Sequence, residues 1–394
     1  MLSNALRAVA VPRSGTGVVM ACLVAGLVAI GVTAPSGAAR ERSDRLTRSL
    51  PGLRVALDRL VAAGAPGAVV LVRDGDRTVR LARGLADRAH RTPMRVSDRF
   101  RVGSVTKTFV STVVLQLAGE GRLSLDDTVE RWLPGLVPDG QGITIRQLLN
   151  HTSGLYDYTE DPSVLKPYLH GHLRVVRAPR TLVGRAIAHP PLFAPGANWS
   201  YSNTGYILLG LIVESAGGDS LEAQLKQRIF TPLGLRHTTF DTSPRIGGRH
   251  AHGYLALGKR PLRDVTVFSP SFAWAAGAIV STADDLARFY RALLQGRLLR
   301  PDLLEAMKTT VAMGPPGESY GFGLWRTRSM GLSPTNKLAC GSVWGHNGDF
   351  PGYLSNAFSS EDAARQMVVL INTDSLRRPA QRALVRVGDI AACA

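Results

Sequence analysis

The 394-residue chain carries 47 Lys and Arg against 30 Asp and Glu, a formal net charge of +17, and 45% of its residues are hydrophobic. This length and apolar content suit one large globular domain, or two closely packed ones, with a sizeable core. The basic residues are scattered, with no basic block and no interleaved aromatic platform, so the composition argues against nucleic-acid binding. A basic surface of this kind is either simply solvated or suited to an anionic cell envelope.

The N-terminus has the pattern of a secretory signal peptide. A start containing two arginines precedes an apolar run over residues 18–32, and small residues over 35–39 offer a cleavage site. The apolar run is short for a membrane-spanning helix. We therefore expect removal of residues 1–39 and a secreted protein, free or associated with the cell wall, without a stable membrane anchor. An uncleaved anchor is the alternative.

The remaining domain, residues 40–394, retains two cysteines, Cys340 and Cys393. In an exported protein two cysteines indicate one disulfide, and two buried free thiols are the alternative. The nine histidines show no metal-ligand spacing, and there is no His-Glu-x-x-His sequence. We therefore predict neither a metal nor any other cofactor.

The first predicted elements are a helix and a hairpin. Residues 43–63 have leucines at helical spacing, with Pro51 as a candidate break. Residues 68–72 form an apolar strand candidate, Asp74-Gly75 is a hairpin signal, and residues 78–82 would form the returning strand.

The next element carries the first candidate chemistry. Ser104 and Lys107 form a Ser-x-x-Lys sequence that opens an apolar run over 110–117. On a helix, residues i and i+3 share a face, so the hydroxyl and the amine can meet. The helix N-terminus favours an alkoxide-like serine, and burial beside it favours a neutral lysine. The pattern indicates a serine nucleophile with its base one turn away, and a capping serine with a surface lysine is the alternative.

A second Ser-x-x-Lys sequence runs from Ser163 to Lys166 and is followed directly by Pro167. Proline disfavours a helical conformation in the residue before it, and no apolar helix follows. We interpret this second copy as a chance match.

The middle of the chain is predicted to be mostly helical. Short helices are expected over 124–133 and 144–149, and further helices over 205–215 and 220–230. Residues 151–195 are rich in Pro, Gly, Tyr and His, which predicts an irregular insert that lines or covers a cleft.

Strand patterns return towards the C-terminus. A short strand is predicted over 276–281, and Thr282 with Asp285 forms a capping pattern for a helix. The last predicted elements are strands over 342–345, 352–359 and 366–372 and a closing helix over 378–392.

Strands at both ends of the chain and helices in the middle predict the fold class. We expect an α/β protein of the α+β type, with one mostly antiparallel sheet formed from both chain ends and flanked by helices. A helical region would be inserted over about 124–275.

Two further motifs hold polar groups. Tyr201 and Asn203 form Tyr-x-Asn just before the predicted 205–215 helix, where the phenol can exchange protons with Lys107 and the amide can donate and accept. A capping role at the start of that helix is the alternative.

His346 and Gly348 form His-x-Gly on a predicted strand, where the glycine would let a substrate backbone approach closely. A strand end with a surface histidine is the alternative.

The order Ser-x-x-Lys, Tyr-x-Asn, His-x-Gly resembles the three-motif signature of the penicillin-recognising serine hydrolases. The pattern is of the class C β-lactamase type and is most similar to that of secreted D-alanyl-D-alanine carboxypeptidases. The likeness covers residues 64–393 and includes the segments 100–107, 153–158, 194–196, 201–204, 229–233, 252–255 and 277–282. It implies a β-lactamase/transpeptidase-like fold.

The resemblance also implies a role for each motif. Ser104 is expected to be the acylated nucleophile, and Lys107 with Tyr201 the proton-transfer pair, with the general base left open between them. The backbone N–H groups of Ser104 and Asp349 are expected to form the oxyanion hole. A late disulfide would join Cys340 and Cys393. The expected substrate-binding residues are Asn203, His346, Asn347, Gly348, Asp349, Arg326 and Trp274.

Two departures from the family pattern bear on the substrate. The usual third motif has Thr where this chain has Asn347, and the next residue is Asp349. The related carboxypeptidases carry an arginine before the third motif that meets the substrate carboxylate. Arg326 and Arg328 are both candidates, because the strand register is open by one residue. We expect that arginine to outweigh Asp349, whose side chain would turn outward.

The leading hypothesis is an exported serine D-Ala-D-Ala carboxypeptidase, monomeric, that acts on peptidoglycan-like D-amino-acid peptides and is acylated by β-lactams. A β-lactamase, or an esterase or D-amino-acid peptidase on the same scaffold, is the alternative. A catalytically inactive wall-binding or sensor protein is a third. Deacylation separates the first two, because only a β-lactamase must activate water against the penicilloyl ester.

Overall fold

The computed structural model describes residues 37–256, 260–314, 317–328, 338 and 340–394. Most of the predicted signal peptide, residues 1–36, lies outside the described residues, so its cleavage stays a prediction. None of the described helices is both long and apolar enough to cross a membrane.

The described helices follow one another along the whole chain. They are α1 (Gly37–Ala62), α2 (Thr106–Gly119), α3 (Val129–Trp132), α4 (Ile145–Leu149), α5 (Pro162–Leu169), α6 (Pro179–Ile187), α7 (Asn203–Gly217), α8 (Leu221–Leu225), α9 (Ala283–Leu294), α10 (Pro301–Lys308) and α11 (Arg378–Cys393).

The described strands concentrate near the two chain ends. They are β1 (Gly67–Asp74), β2 (Arg77–Asp87), β3 (Thr92–Pro93), β4 (Phe100–Arg101), β5 (Thr239–Phe240), β6 (Tyr254–Leu255), β7 (Arg263–Asp264), β8 (Ile279–Ser281), β9 (Val311–Ala312), β10 (Ser319–Tyr320), β11 (Trp325–Thr327), β12 (Val343–Phe350), β13 (Tyr353–Ser359) and β14 (Arg365–Ile371).

The main sheet combines both ends of the chain. Its nine described strands run in the order β3-β2-β1-β14-β13-β12-β11-β10-β9, and all of its pairings are antiparallel. The central pairing joins β1 to β14, with Val70 opposite Val369. The predicted fold class, a mostly antiparallel sheet built from both ends and flanked by helices, is confirmed.

Both faces of this sheet are covered, which explains why β1 and β14 contain continuous apolar runs rather than alternating residues. Val70 and Val369 point towards α1 and α11, where Leu57 and Leu384 belong to the same buried cluster. Side chains of the opposite parity, such as Val69, pack into the larger core with α2, α7 and α9. Because successive strand residues face opposite sides, each strand serves two cores.

The region 151–195 is more regular than its composition predicted. It contains α5 and α6, and the prolines that the prediction counted as breakers, Pro162 and Pro179, lie in the first turn of each helix. A proline there loses no helical hydrogen bond and its fixed φ suits the helix. The expectation of an irregular insert was therefore wrong for these two segments.

The second Ser-x-x-Lys sequence also lies on a helix, contrary to the prediction. Pro167 lies inside α5 and removes one backbone donor. The carbonyl oxygen of Ser163, four residues earlier, instead accepts a hydrogen bond from Arg177 Nη2 at 2.9 Å. A side chain distant in sequence thus replaces the lost helical bond, which local reasoning cannot foresee.

Three other predicted elements are shorter in the structure. Of residues 124–133, only α3 is helical, because Asp127 accepts from the Ser124 N–H in a turn before Thr128 caps the helix. Of residues 220–230, α8 ends at Leu225 and a π-helical turn follows. Of residues 276–281, β8 covers only the last three.

The site-bearing segments meet where β12 loses its second neighbour. β11 pairs with β12 only as far as Gly345, whereas β13 continues to pair up to Phe350. The 3-10 turn Gly103–Val105, which leads into α2, packs against this second half of β12. The start of α7 supplies the third side of the site.

Candidate active site

Ser104 lies in the 3-10 turn immediately before α2, and Lys107 is the second residue of that helix. Gly103 has φ of +50°, and a Cβ there would lie 2.4 Å from the carbonyl oxygen of Asp349. Only glycine combines this left-handed backbone with so close an approach to β12. The turn therefore presents Ser104 beside β12, with its hydroxyl 3.0 Å from Lys107 Nζ.

Lys107 is fully buried, and its amine contacts three oxygen atoms. Nζ lies 2.7 Å from Asn203 Oδ1, 2.9 Å from the Ala276 carbonyl and 3.0 Å from Ser104 Oγ. The first two oxygens can only accept. A neutral amine has two N–H groups for these oxygens, which leaves its lone pair for the Ser104 hydroxyl proton.

The electrostatics of the pocket favour that neutral amine. Burial lowers the pKa of Lys107 to about 7, against a partial opposing effect from the Asp157 carboxylate. A substantial fraction of Lys107 is therefore unprotonated near neutral pH. The structure thus supports Lys107 as the group that accepts the Ser104 proton.

Asn203, at the start of α7, is oriented by Asp157. Its Nδ2 donates to Asp157 Oδ2 at 2.8 Å, and its backbone N–H donates to the same oxygen at 3.1 Å. Asp157 is in turn held by the Thr159 N–H at 2.9 Å. The Asn203 amide must therefore turn its oxygen to Lys107. Asp157 had no predicted role, although it lies in the 153–158 segment of the family resemblance.

Tyr201 lies next to both Ser104 and Lys107. Lys107 Nζ is 4.9 Å from the centre of its ring. Burial raises the pKa of the Tyr201 phenol, and a hydrogen bond to Ser104 offsets this only in part. The phenol therefore keeps its proton at neutral pH and can act as a hydrogen donor, whereas Lys107 is the group that changes protonation there.

His151 is a further residue that the sequence analysis missed. It is 1% exposed with φ of +65°, and its ring centre lies 4.4 Å from that of Tyr201. Its Nδ1 accepts from the Ser202 N–H at 3.2 Å, and its carbonyl accepts from the Ser200 N–H at 3.1 Å. Burial lowers the pKa of the imidazole well below its usual range, so the ring is neutral. His151 thus holds the segment that carries Tyr201. Its left-handed backbone, which is rare for a residue other than glycine, is a feature of the structure that the sequence pattern did not indicate.

His346 occupies the third motif position as a neutral, fully engaged imidazole. Its Nδ1 contacts the Asn347 carbonyl, which can only accept, so Nδ1 carries the proton. Its Nε2 must then accept from the Tyr320 hydroxyl at 2.8 Å. Burial and the nearby Lys107 lower the pKa of His346 to about 3. This residue therefore supplies no positive charge to a substrate.

Asn347 and Asp349 are exposed and alternate along β12 with buried His346 and Gly348. The Asp349 side chain thus points to the sheet face opposite His346. Although the side chain is exposed, desolvation by the protein atoms around it, and then the charge of the neighbouring Asp374, raise the pKa of the Asp349 carboxyl. Its backbone lies against Gly103, beside Ser104, where the expected oxyanion donors would meet.

The environments of Gly348 and Trp274 differ from the predicted ones. A Cβ at Gly348 would lie within contact of the Val102 carbonyl oxygen, so the glycine is needed for packing of the chain against itself. Trp274 is 8% exposed and its ring packs against Gly210 of α7. Trp274 thus lies in the core beside α7, and the substrate contact expected of it stays a prediction. It is the following backbone, at the Ala276 carbonyl, that reaches the site.

The two candidate arginines for carboxylate binding are exposed. The Arg326 guanidinium lies 5.6 Å from the centre of the Trp344 ring, on the strand pair that precedes His346. Arg328 follows β11 and packs near Gly317. The contacts that the structure describes for them are thus with other parts of the protein surface rather than with Ser104 or Lys107.

Two further predictions concern the pairing of the two cysteines and metal binding. Cys340 and Cys393 are joined by a disulfide, the pairing that the resemblance implied, which ties α11 to the segment before β12. Among the residues that the structure describes, no group of three or more His, Cys, Asp or Glu side chains is placed to hold a metal ion.

Comparison with known proteins agrees with this geometry. The beta-lactamase family model matches residues 53–392. The chain is 29% identical over 323 residues to penicillin-binding protein 4* of Bacillus subtilis, covering 78% of this chain and 68% of that protein. It is 35% identical over 294 residues to esterase EstB of Burkholderia gladioli, covering 65% and 74% respectively.

A solved structure is more similar still. The D-stereospecific amidohydrolase of a Streptomyces species superposes with a TM-score of 0.76 at 41% identity, covering 85% of this chain and 98% of that one. The chain belongs to the beta-lactamase family, whose serine hydrolases include the penicillin-binding proteins.

Proposed function

We propose that this member of the beta-lactamase family hydrolyses an amide or ester bond at a D-amino-acid residue through an acyl-enzyme on Ser104. The observation that carries the proposal is the amine of Lys107, buried, with a pKa of about 7 and 3.0 Å from Ser104 Oγ. A serine activated in this way is a nucleophile for acyl transfer.

The proposed reaction assigns roles to Ser104, Lys107, Tyr201 and the backbone of Asp349. Ser104 Oγ attacks the substrate carbonyl while Lys107 takes its proton, and the carbonyl oxygen becomes an oxyanion held by the N–H groups of Ser104 and Asp349. Tyr201 donates a proton to the leaving nitrogen or oxygen, and regains one from Lys107. Water then attacks the acyl-enzyme, its proton returns through the same groups, and the acid is released.

A neutral third motif favours amide or ester substrates over a free carboxylate. His346 is uncharged with both nitrogens engaged, so the third motif offers no cation to a substrate carboxylate. An unpaired carboxylate is costly to desolvate, so this environment suits a substrate whose reacting end is uncharged. The similarity to the Streptomyces amidohydrolase, over nearly all of that protein's length, supports the same choice.

D-Ala-D-Ala carboxypeptidase activity is the second candidate. The likeness to penicillin-binding protein 4* favours it. So does Arg326, an exposed cation on the strand next to β12, which could meet a terminal carboxylate if a substrate extends along that edge. In either case we propose that β-lactams acylate Ser104 and that the protein is exported, as its N-terminal sequence predicts.

The test compares two matched pairs of substrates, one that varies the chirality and one that varies the C-terminal group. Purified protein without residues 1–39 is given D-alanine and L-alanine p-nitroanilides, and a D-Ala-D-Ala peptide with either a free C-terminus or a C-terminal amide. The proposal expects cleavage of the D but not the L anilide, and of the peptide amide at least as fast as of the free acid. Faster cleavage of the free acid would instead establish the carboxypeptidase.

Two variants tie the activity to the site. Ser104→Ala should abolish both hydrolysis and covalent labelling by a fluorescent penicillin. Ser163→Ala is the matched control, because Ser163 lies in the other Ser-x-x-Lys helix, and it should retain both. Persistent labelling of the Ser104→Ala protein at another serine would refute the assignment. Following the label for hours also identifies a β-lactamase, which would release it.

A further inference from the structure

A second, strongly basic cavity lies between the β1–β2 hairpin and α9. Its volume is about 500 Å³, and the described residues that line it are Arg73, Arg80, Asp284, Arg288, Arg291, Gln295 and Arg297. We refer to it as the arginine cavity. All of these side chains are charged or amide-bearing, so charged and polar groups dominate the lining of the cavity.

The charges around the arginine cavity do not balance. Five guanidinium groups face one carboxylate, that of Asp284, which leaves four positive charges in excess. Arg80 already binds this carboxylate through two nitrogens, at 2.6 and 2.8 Å. Asp76, which is fully exposed, lies 3.9 Å from Arg291. Such a pair in open solvent contributes little compensation.

The surplus charge is costly to the free protein. The pKa of the Arg73 guanidinium is lowered by burial and then by the charges of Arg291 and Arg80. Like charges held close together on two rigid elements repel one another. A bound anion would relieve this repulsion, and the backbones of Arg73, Arg80 and Arg291 are already ordered in β1, β2 and α9 before it binds.

The arginine cavity is separate from the catalytic site. Arg73 of β1 is opposite Gln366 of β14, which is opposite Ser359 of β13, which is opposite Trp344 at the start of β12. Three strand spacings, about 14 Å, therefore separate the cavity from β12. The catalytic part of β12, near Asp349, lies at the opposite end of that strand.

We propose that the arginine cavity binds a phosphate group, in free form or carried by a larger molecule. Planar guanidinium groups bind tetrahedral phosphate oxygens through paired hydrogen bonds, and several such groups around one small volume match a doubly charged anion better than a single carboxylate. Because charged and polar groups dominate the lining, recognition would rest mainly on the anionic group itself. Occupation would attach the enzyme to a phosphate-bearing partner while Ser104 stays accessible.

The test uses a double variant and a charge-matched control. Arg288→Gln/Arg291→Gln removes two charges from the cavity. Arg180→Gln/Arg185→Gln removes two charges from exposed positions of α6, away from it. Calorimetric titration with pyrophosphate, and separately with inorganic phosphate, is done at fixed ionic strength. Loss of two charge-assisted contacts should weaken binding about tenfold or more in the cavity variant and less than about twofold in the control.

The source of the phosphate is a separate arm. Sedimentation with phosphatidylglycerol vesicles, compared with phosphatidylcholine vesicles, shows whether a lipid headgroup supplies the group, and that binding should also be lost in the cavity variant. Penicillin acylation should be unchanged in every variant. The melting temperature of the cavity variant should be no lower than that of the unmodified protein, because the substitutions remove repulsion between like charges. Arg297→Gln, outside the helices and strands, replaces the double variant if the latter misfolds.

Two results would overturn the proposal. One is the lack of saturable binding of pyrophosphate by the unmodified protein up to about 10 mM, where even a weak specific site would be filled. The other is an equal loss of binding in the α6 control, because the affinity would then follow net charge rather than the arginine cavity.

Discussion

The acylation of Ser104 should follow the protonation of Lys107, and its pH dependence can be worked out from the structure. Burial lowers the lysine pKa from 10.5 to about 7. This change corresponds to about 5 kcal/mol in favour of the neutral amine. The neutral amine is the form that accepts the serine proton, so acylation should rise with pH through about 7 and then level off.

The expected size of the effect follows from the neutral fraction. With a pKa of about 7, about half of Lys107 is neutral at pH 7 and about 1% at pH 5, so acylation should slow about 50-fold between them. Between pH 7 and 9 the rate should only about double. Lys107→Ala should lose on the order of 100-fold in rate and the dependence on pH near 7.

The assay is the second-order rate constant of labelling by a fluorescent penicillin, measured between pH 5 and pH 9. The Asp157→Asn variant adds a test of sign. The Asp157 carboxylate favours the protonated amine and raises the pKa of Lys107. Replacing this carboxylate by an uncharged amide should therefore move the acid limb, the part of the pH-rate profile in which the rate rises, to lower pH. Asp349→Asn tests the competing group, because desolvation raises the pKa of Asp349 to about 7 as well, and the rise in rate should stay in place if Lys107 carries the titration.

A limb that remains near pH 7 in the Lys107→Ala protein would refute the assignment, because another group would then carry the titration. A shift to higher pH in the Asp157→Asn protein would also contradict it. In that case the carboxylate would act on Asn203 rather than on the charge of Lys107.

Four further predictions concern individual residues. Tyr201→Phe removes the proton donor and should lower the maximal hydrolysis rate by on the order of 100-fold, with no shift of the acid limb in a pH-rate profile. His151→Ala should lower kcat rather than raise KM, since it frees the segment that holds Tyr201. His151→Asn should recover part of the loss in the same assay, because asparagine tolerates a left-handed backbone. Arg326→Ala should leave the ratio of peptide-amide to free-acid cleavage unchanged, and a change in that ratio would support carboxylate recognition. Cys393→Ser should lower the free energy of unfolding by about 4 kcal/mol in a denaturant titration, because the disulfide closes a loop across a sequence separation of 53.

Local sequence patterns determined the elements that depend on near neighbours. The apolar strands near both chain ends, the hairpin at Asp74-Gly75 and the capped helix after Thr282 all occur as expected. The pairing of the two chain ends also followed, because apolar strands on each side of a helical middle have only one another to pair with. The errors included α5 and α6, where prolines at helix starts resembled breakers, and three elements that are shorter than predicted.

The sequence by itself also determined the reactive pair, since Ser104 and Lys107 are one helical turn apart and need no distant partner to meet. What distinguishes them from Ser163 and Lys166 was decided only by the tertiary structure. Both pairs lie on helices, but only Lys107 is buried against an amide and a carbonyl oxygen from elsewhere in the chain. Desolvation and distant hydrogen bonds set a pKa, and neither can be read from spacing along one helix.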